Sequence, residues 1–343
     1  MQQIADLAGV SRMAVSLALR NSPKISLATS NRIRQIADEL GYRPNPLVSA
    51  LMTQLRHSKQ VKRPSTLAYV TAYPTAEGWR QPGPFVEFFE GAQRRAEALG
   101  YKLEEWWLRK PGMSERRFSD ILYTRNIHGL LIAPLPPGGG ALDLNWSRFA
   151  ISTIGYSVTG PPMHRASNDQ YGSITLALRE LTKLGYRRIG MAMPRESDER
   201  VKHNWSAGML VYQQSIPPED RVPSLLSEGS FSRSFAAWFS EHRPQAVVSL
   251  AEQALRVLDD LGLKVPQDVG FAHLALTTED REWAGVNQNS EMVGVAAVDL
   301  VDAQLRRNER GLPEYPKTML MPGKWFGGPT VRDLNVVGEL SAR

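Results

Sequence analysis

The 343-residue chain contains no cysteine, which excludes both a disulfide framework and a thiolate metal site. Its six histidines stand singly, without the H-E-x-x-H spacing that places two imidazoles on one helix face. No metal or cofactor is expected. No window approaches 18 uninterrupted apolar residues, so no transmembrane helix is expected. The opening MQQIADLAGV has neither the basic n-region nor the apolar h-region of an export signal. A soluble, unexported, cytoplasmic protein with no membrane partner is the expectation. Gly138, Gly139 and Gly140 follow an apolar run but lack a G-x-x-x-x-G-K-[ST] or G-x-G-x-x-G context, and no G-x-S-x-G elbow occurs. They read as a flexible loop, and no catalytic residues are assigned.

Net charge is nearly absent from most of the chain, because its excess is local. Residues 1 to 63 hold ten basic residues (Arg12, Arg20, Lys24, Arg32, Arg34, Arg43, Arg56, Lys59, Lys62 and Arg63) against Asp6, Asp38 and Glu39, a net of +7. The remaining 280 residues hold 31 basic and 32 acidic side chains, so the whole excess of +6 belongs to the first sixty. A basic module on a near-neutral body is the electrostatic footprint of a nucleic-acid binder.

That basic segment is patterned for three helices, Gln3 to Ala8, Arg12 to Arg20 and Leu27 to Leu40. Gly9 suits the end of the first, Ser11 and Ser26 are good N-caps for the second and third, and Gly41 ends the third. Two short helices joined by Gly-Val-Ser form a helix-turn-helix. At about 100° per residue, Ala14, Val15, Ala18 and Leu19 fall on one arc of the second helix, and Arg12, Met13, Ser16, Leu17 and Arg20 on the other. The second arc suits a major groove, where Arg reads guanine and Met13 and Leu17 rest on thymine methyls. An ordinary amphipathic helix with a basic exposed face is the competing reading.

Pro44 and Pro46 then interrupt the chain, and a short helix over Leu47 to Leu55 carries Leu47, Val48, Leu51, Met52 and Leu55. Paired with a second copy, it would present Leu51 as a wedge into a minor-groove base step. Alternatively it is a linker helix packed on the body.

From Leu67 onward, apolar runs such as LAYVTAYP, KLEEWWL, HGLLIAPL, FAISTIGY, RRIGMAMP, AVVSL and VGFAHL alternate with helical segments. This alternation predicts an α/β architecture of doubly wound parallel sheets. Ligands in such sheets sit at the carboxyl ends of strands, which here carry Tyr73, Pro74, Tyr156 and His273.

The run IADLAGVSRMAVSLALRNSPKIS…NRIRQIADELGYRPNPLVSALM resembles the DNA-binding headpiece and hinge helix of LacI-type, GalR-like transcription regulators. Through FFEGAQRRAEALGYKL, HGLLIAP, SNDQYGS…LTKLGYRRIG, LGLKVPQDVGF and GVNQN…VGVAAVDLV the resemblance extends over essentially the whole chain. It implies a headpiece over 1–43, a hinge over 44–63, and a two-lobed periplasmic-binding-protein-like core. One lobe would comprise 64–157 with 285–315, the other 158–284 with 316–343.

It further implies a homodimeric regulator, more often a repressor, on a near-palindromic double-stranded DNA operator, with a small-molecule effector, possibly a sugar, between the lobes. Arg12 and Met13 would read bases, Ser11, Ser16, Lys24, Ser26, Thr29 and Asn45 would hold the backbone or groove wall, and Leu51 would be the wedge beside Met52. Three departures stand out. Ala14 replaces a usual Thr, Leu17 replaces a frequent guanine-reading Arg, and the chain begins inside the first helix, past its usual Ser or Thr cap, so either Met1 is an internal Met of a longer product or binding is weakened.

The effector site is where the resemblance thins. The family's effector-binding Arg falls on Trp205, and its Asp pair on Ala272 and His273. Asp169 remains, with aromatic surfaces at Tyr73, Trp79, Phe85, Tyr156, Trp205 and Phe231 for stacking on a ring. Core packing for each aromatic, and a turn role for Asp169, are equally open. A sensor without a working switch, a carbohydrate-active enzyme and a free sugar-binding protein are the alternatives; the last lacks any use for residues 1–60.

Overall fold

A computed structural model describes residues 1–19, 22, 24–42, 65–80, 83–280 and 282–336. The expected hinge helix, with Asn45, Leu51 and Met52, lies outside the described residues, as does Arg20.

The headpiece forms α1 (Gln2–Ala8), α2 (Arg12–Ala18) and α3 (Leu27–Glu39), within two residues of expectation. Gly9 ends α1 at a φ of 62°, a left-handed conformation that costs a side-chain-bearing residue more than glycine. Ser11 Oγ then accepts the Ala14 backbone N–H at 3.1 Å, and Ser26 Oγ that of Thr29 at 3.2 Å. These caps satisfy amides that the first helical turn leaves without partners. Ile4, Ala5, Ala8, Val15, Ala18, Ile33 and Ala37 close one small core between the three helices.

The body contains two sheets of six strands. Its strands in chain order are β1 (Ser65–Thr71), β2 (Tyr101–Trp107), β3 (Gly129–Ile132), β4 (Gly140–Ala141), β5 (Ala150–Ile154), β6 (Val158–Gly160), β7 (His164–Asn168), β8 (Ile189–Pro194), β9 (Leu225–Ser227), β10 (Ala246–Ser249), β11 (Gly270–Leu276), β12 (Ala284–Asn287), β13 (Thr318–Met321) and β14 (Lys324–Phe326). The first sheet runs β13-β7-β5-β3-β1-β2 and is parallel throughout; the second runs β14-β12-β11-β10-β8-β9, with only β14 antiparallel. Central strands such as GLLI, AISTI and AVVS are buried along their whole length, as parallel strands covered on both faces must be.

The expected lobe boundaries need correction. β7 belongs to the first sheet, so the first crossing follows Asn168 rather than residue 157. β12 belongs to the second sheet, which moves the second crossing beyond Asn287, and the third falls between β13 and β14 rather than near Pro316. The sequence HRASN has no apolar run, yet its Ser167 and Asn168 are buried. The three crossings are tied to one another. Asn168 Nδ2 donates to the Gln288 carbonyl at 2.9 Å, Asp169 N to that of Met321 at 2.9 Å, and Asn289 Nδ2 to that of Pro322 at 2.8 Å.

In the first lobe, the helix Ser290–Arg307 packs along the helix Pro84–Ala98 at very short range. A Cβ on Gly294 would overlap the Phe88 carbonyl oxygen, and one on Gly91 that of Glu291. Both positions therefore need glycine.

Candidate nucleic-acid interface and interlobe cleft

The packing arc expected for α2 faces the headpiece core. Val15 and Ala18 are fully buried, and Ala14 and Leu19 half-buried. On the opposite arc Met13 is 73% exposed, although burying a side chain of its type is worth about 1.5–3 kcal/mol. Arg12 beside it is exposed and makes no hydrogen bond or ion pair within the described residues. Ser16 and Leu17 are half-buried on the same arc, while Lys24 and Ser26 are exposed near the start of α3. Thr29 is half-buried, its hydroxyl 2.8 Å from that of Ser26.

Two of the basic residues have a second task that spacing did not reveal. Arg32 donates to the Ala8 carbonyl at 2.8 Å, and Arg34 to the Ala18 carbonyl at 3.5 Å. Each cation stands at the C-terminal end of another headpiece helix, where carbonyls lack partners and the helix dipole favours positive charge. An Arg two residues apart on α3, pointing at two preceding helix ends, would have been the pattern to look for.

At the cleft, Tyr73 follows β1, its ring edge-on to Phe85 at 6.4 Å in the first turn of the helix Pro84–Ala98. Burial raises the Tyr73 pKa, opposed by the charge of Arg200, which reaches over from the second lobe. Arg200 donates to the Leu135 carbonyl at 2.7 Å and to that of Pro136 at 3.4 Å, just beyond β3. Tyr156, beyond β5, has two cations near its ring, Arg165 of its own lobe, with the guanidinium carbon 5.0 Å from the ring centre, and Lys202 of the other, with Nζ at 5.5 Å. A further cross-lobe bond joins Thr278 N to Glu87 Oε1 at 2.7 Å. A cavity of about 330 Å³ opens at the ends of β1 and β3, lined by Ala72, Pro74, Arg109, Leu135, Pro136 and the Gly139–Ala141 turn.

The remaining sequence candidates divide. Asp169 is the N-cap of the helix Gln170–Lys183, accepting the Gly172 N–H at 2.8 Å at the first lobe crossing. His273 is 7% exposed; its Nδ1 accepts the Ala275 N–H at 3.2 Å, which leaves Nε2–H to donate to the Leu250 carbonyl at 3.3 Å. That is the neutral tautomer, and burial accordingly lowers the His273 pKa.

Trp79 and Trp205 are corrections to the expected ligand surface. Each is 2% exposed, Trp79 within the first-lobe core against Tyr69 and Phe89, Trp205 within the second-lobe core. Phe231 stacks on Phe235 at 5.5 Å and shares no ring contact with the other candidates. Arg165, Arg200 and Lys202 were not among the sequence candidates. Among the described residues no group of His, Asp or Glu is placed to hold a metal ion, and no helix is long and apolar enough to cross a membrane.

A capped helix-turn-helix whose second helix turns Arg12 and Met13 outward, carried on two parallel-sheet lobes with three crossings, is the build of a DNA-binding regulator with a ligand-binding core. The lacI family of bacterial regulatory proteins matches residues 1–45, and a periplasmic binding protein-like domain matches residues 178–325. The HTH-type transcriptional repressor CytR of Escherichia coli K12 is 30% identical over 303 residues, covering 81% of this chain and 81% of that protein. The regulator CelR of Thermobifida fusca is 24% identical over 320 residues, 86% of this chain and 88% of its own. GntR of Escherichia coli K12 is 31% identical over 133 residues, so the matched part spans only 36% of that protein and 38% of this chain.

Among solved structures, the lac repressor dimer bound to operator and the anti-inducer ONPF superposes with a TM-score of 0.54 at 18% identity, covering 96% of this chain and 98% of that one. A CelR–cellobiose complex gives 0.54 at 19%, covering 95% and 98%. The chain belongs to the lacI family of bacterial regulatory proteins, and is a DNA-binding transcriptional regulator.

Proposed function

We propose that the protein is a cytoplasmic, sequence-specific regulator, working as a repressor, that binds a near-palindromic operator as a homodimer. A small carbohydrate-related effector in the interlobe cleft modulates that affinity, and no catalysis is involved. The observation that carries this reading is the exposure of Arg12 and Met13 on a helix whose other arc is locked into the headpiece core. A dimer places two such helices in successive major grooves about one helical turn apart.

Arg12 donates to guanine O6 and N7, while Met13 and Leu17 meet thymine methyls. Leu17, where relatives often carry Arg, exchanges a guanine preference for a thymine one. Ser11, Ser16, Lys24, Ser26 and Thr29 hold phosphates or the groove wall. Ser11 is suited to this because its oxygen already accepts a backbone N–H, leaving the hydroxyl proton for a phosphate. Arg20, Asn45 and Met52 complete the contact set, with Leu51 as the minor-groove wedge.

Support for the cleft as effector site comes from Tyr73 and Tyr156, beyond strand ends and each within the field of a cation of the other lobe, and from a similar regulator solved with cellobiose. The test is operator binding by fluorescence anisotropy on a sequence selected from random DNA. Arg12→Ala should cost about 1–3 kcal/mol and relax one base position. An equal loss on every sequence would remove the readout role.

A further inference from the structure

Two guanidinium groups at the cleft are short of counter-charge. Arg165 donates to the carbonyls of Gly155 and Val158, the latter at 3.1 Å, and Arg200 to those of Leu135 and Pro136. Neither makes an ion pair among the described residues. Burial lowers the pKa of both, although an arginine stays protonated and keeps its charge. Carbonyl oxygens satisfy the N–H geometry of a half-buried guanidinium without neutralising it, and an anion supplied there would make stronger, charge-assisted bonds.

The carboxylates whose charge acts on Arg200 and Tyr156, Glu196 and Asp169, do not supply that anion. Glu196 acts on Arg200 only through space and is itself exposed. Asp169 caps the helix Gln170–Lys183 through Gly172. A third cation, Lys202, is exposed and reaches the Tyr156 ring from the other lobe without an ion pair among the described residues.

The segment carrying Arg200 and Lys202 is held in an unusual shape. Lys202 and His203 both have left-handed φ values, 58° and 60°, which residues with a Cβ rarely adopt and keep only where their surroundings impose them. The surroundings do so through Asp198, wholly buried, whose carboxylate accepts from His203 Nδ1 at 3.0 Å, Ser206 N at 3.0 Å and Ser206 Oγ at 2.5 Å. Strain maintained by a buried anchor beside a cleft is the mark of a pre-organised site.

We propose that the cleft takes a small anionic ligand, a phosphorylated or carboxylated sugar, whose oxyanion is clamped between Arg200 and Lys202 of one lobe and Arg165 of the other. The ligand's oxygens replace the carbonyls that now occupy the guanidinium forks, and its ring lies against Tyr156. This explains how a cleft without the family's usual polar anchors, with Trp205 and His273 in their places, still selects a ligand. The inference rests on the reading of the cleft as effector site and narrows the chemistry of that effector.

Isothermal titration calorimetry on the full chain tests it with glucose 6-phosphate, gluconate, inorganic phosphate and, as neutral controls, glucose and cellobiose. Either the phosphate ester or the carboxylate is expected to bind about tenfold or more tighter than glucose, and to lose about tenfold in Arg200→Gln and in the exposed Lys202→Met. Its affinity should also fall as salt is raised. The arm that binds tells phosphate from carboxylate.

A neutral sugar binding as tightly as the anions overturns the proposal. So does an anion affinity indifferent to both salt and Lys202→Met, or no anion binding up to about 10 mM. Operator affinity, measured in parallel, separates the two readings. Neutral sugars that shift it leave the effector site standing and remove the anion; a bound anion that leaves it unchanged keeps the anion site and removes the regulatory role.

Discussion

Asp198 and His203 face each other across 3.0 Å, a fully buried carboxylate oxygen against Nδ1 of an exposed imidazole. Between them the chain turns through Lys202 and His203 in left-handed conformations, so the pair fixes the direction in which Arg200 and Lys202 leave the second lobe. Asp198→Ala removes the acceptor for His203 and for two donors of Ser206. A loss of about 2–3 kcal/mol in urea-unfolding free energy is expected. A loss below about 0.5 kcal/mol would show that the turn holds without its carboxylate.

The contact between the helices Pro84–Ala98 and Ser290–Arg307 gives a second prediction. At Gly294 a methyl group meets the Phe88 carbonyl and at Gly91 that of Glu291, both rigid backbone. Gly294→Ala should therefore destabilise the first lobe by about 1–3 kcal/mol, even though alanine is the better helix former. Thermal unfolding checks the sign: a raised midpoint would mean that the helices separate without cost.

His164 and His273 connect stability to pH. Burial, foremost, lowers both pKa values from the usual 6.5; the Lys317 charge adds to the effect at His164, whose Nδ1 accepts the Lys317 N–H at 2.9 Å. As pH falls through about 6.5 the unfolded imidazoles take up protons that the folded ones still refuse, so protonation favours unfolding. The stability is fully present above that pH and is lost progressively below it. Urea midpoints should decline from about pH 7 to pH 5, and a double His164→Gln, His273→Gln variant should decline less. Equal slopes would contradict this.

Lys24 and Arg32 carry the same charge and have different tasks. Lys24 is exposed, and Lys24→Ala should weaken binding to all DNA sequences about equally and reduce the salt slope by about one. Arg32 caps α1 through Ala8, so Arg32→Met should lower headpiece stability by about 1 kcal/mol as well as DNA affinity. Hydrogen exchange at α1 amides separates them: it should rise in Arg32→Met and stay at the wild-type level in Lys24→Ala.

What was legible in the sequence follows from periodicity and caps. The two arcs of α2, the cap serines Ser11 and Ser26, and the long apolar strands all announce themselves locally, and their structure obeys the local pattern. β7 did not, because HRASN has the composition of a loop and becomes a strand only through neighbours β5 and β13 and a hydrogen bond from Asn168 to Gln288. The lobe boundaries moved with it.

Trp79 and Trp205 show the other limit. An aromatic near a strand end serves equally well as core or as ligand platform, and only burial, decided by residues far along the chain, separates the two. Arg165 and Arg200 were hidden for a related reason: an unpaired charge is invisible until the partners it lacks are known.

The proposed function stands or falls with base reading by Arg12 of α2. Selection of bound sequences from random DNA by the full chain, repeated with Arg12→Ala, tests it most directly. The wild type should yield a near-palindrome with one guanine per half-site that becomes degenerate in the variant, while the remaining positions persist. Recovery of the same guanine by Arg12→Ala, or of no common sequence by the wild type, would contradict the account.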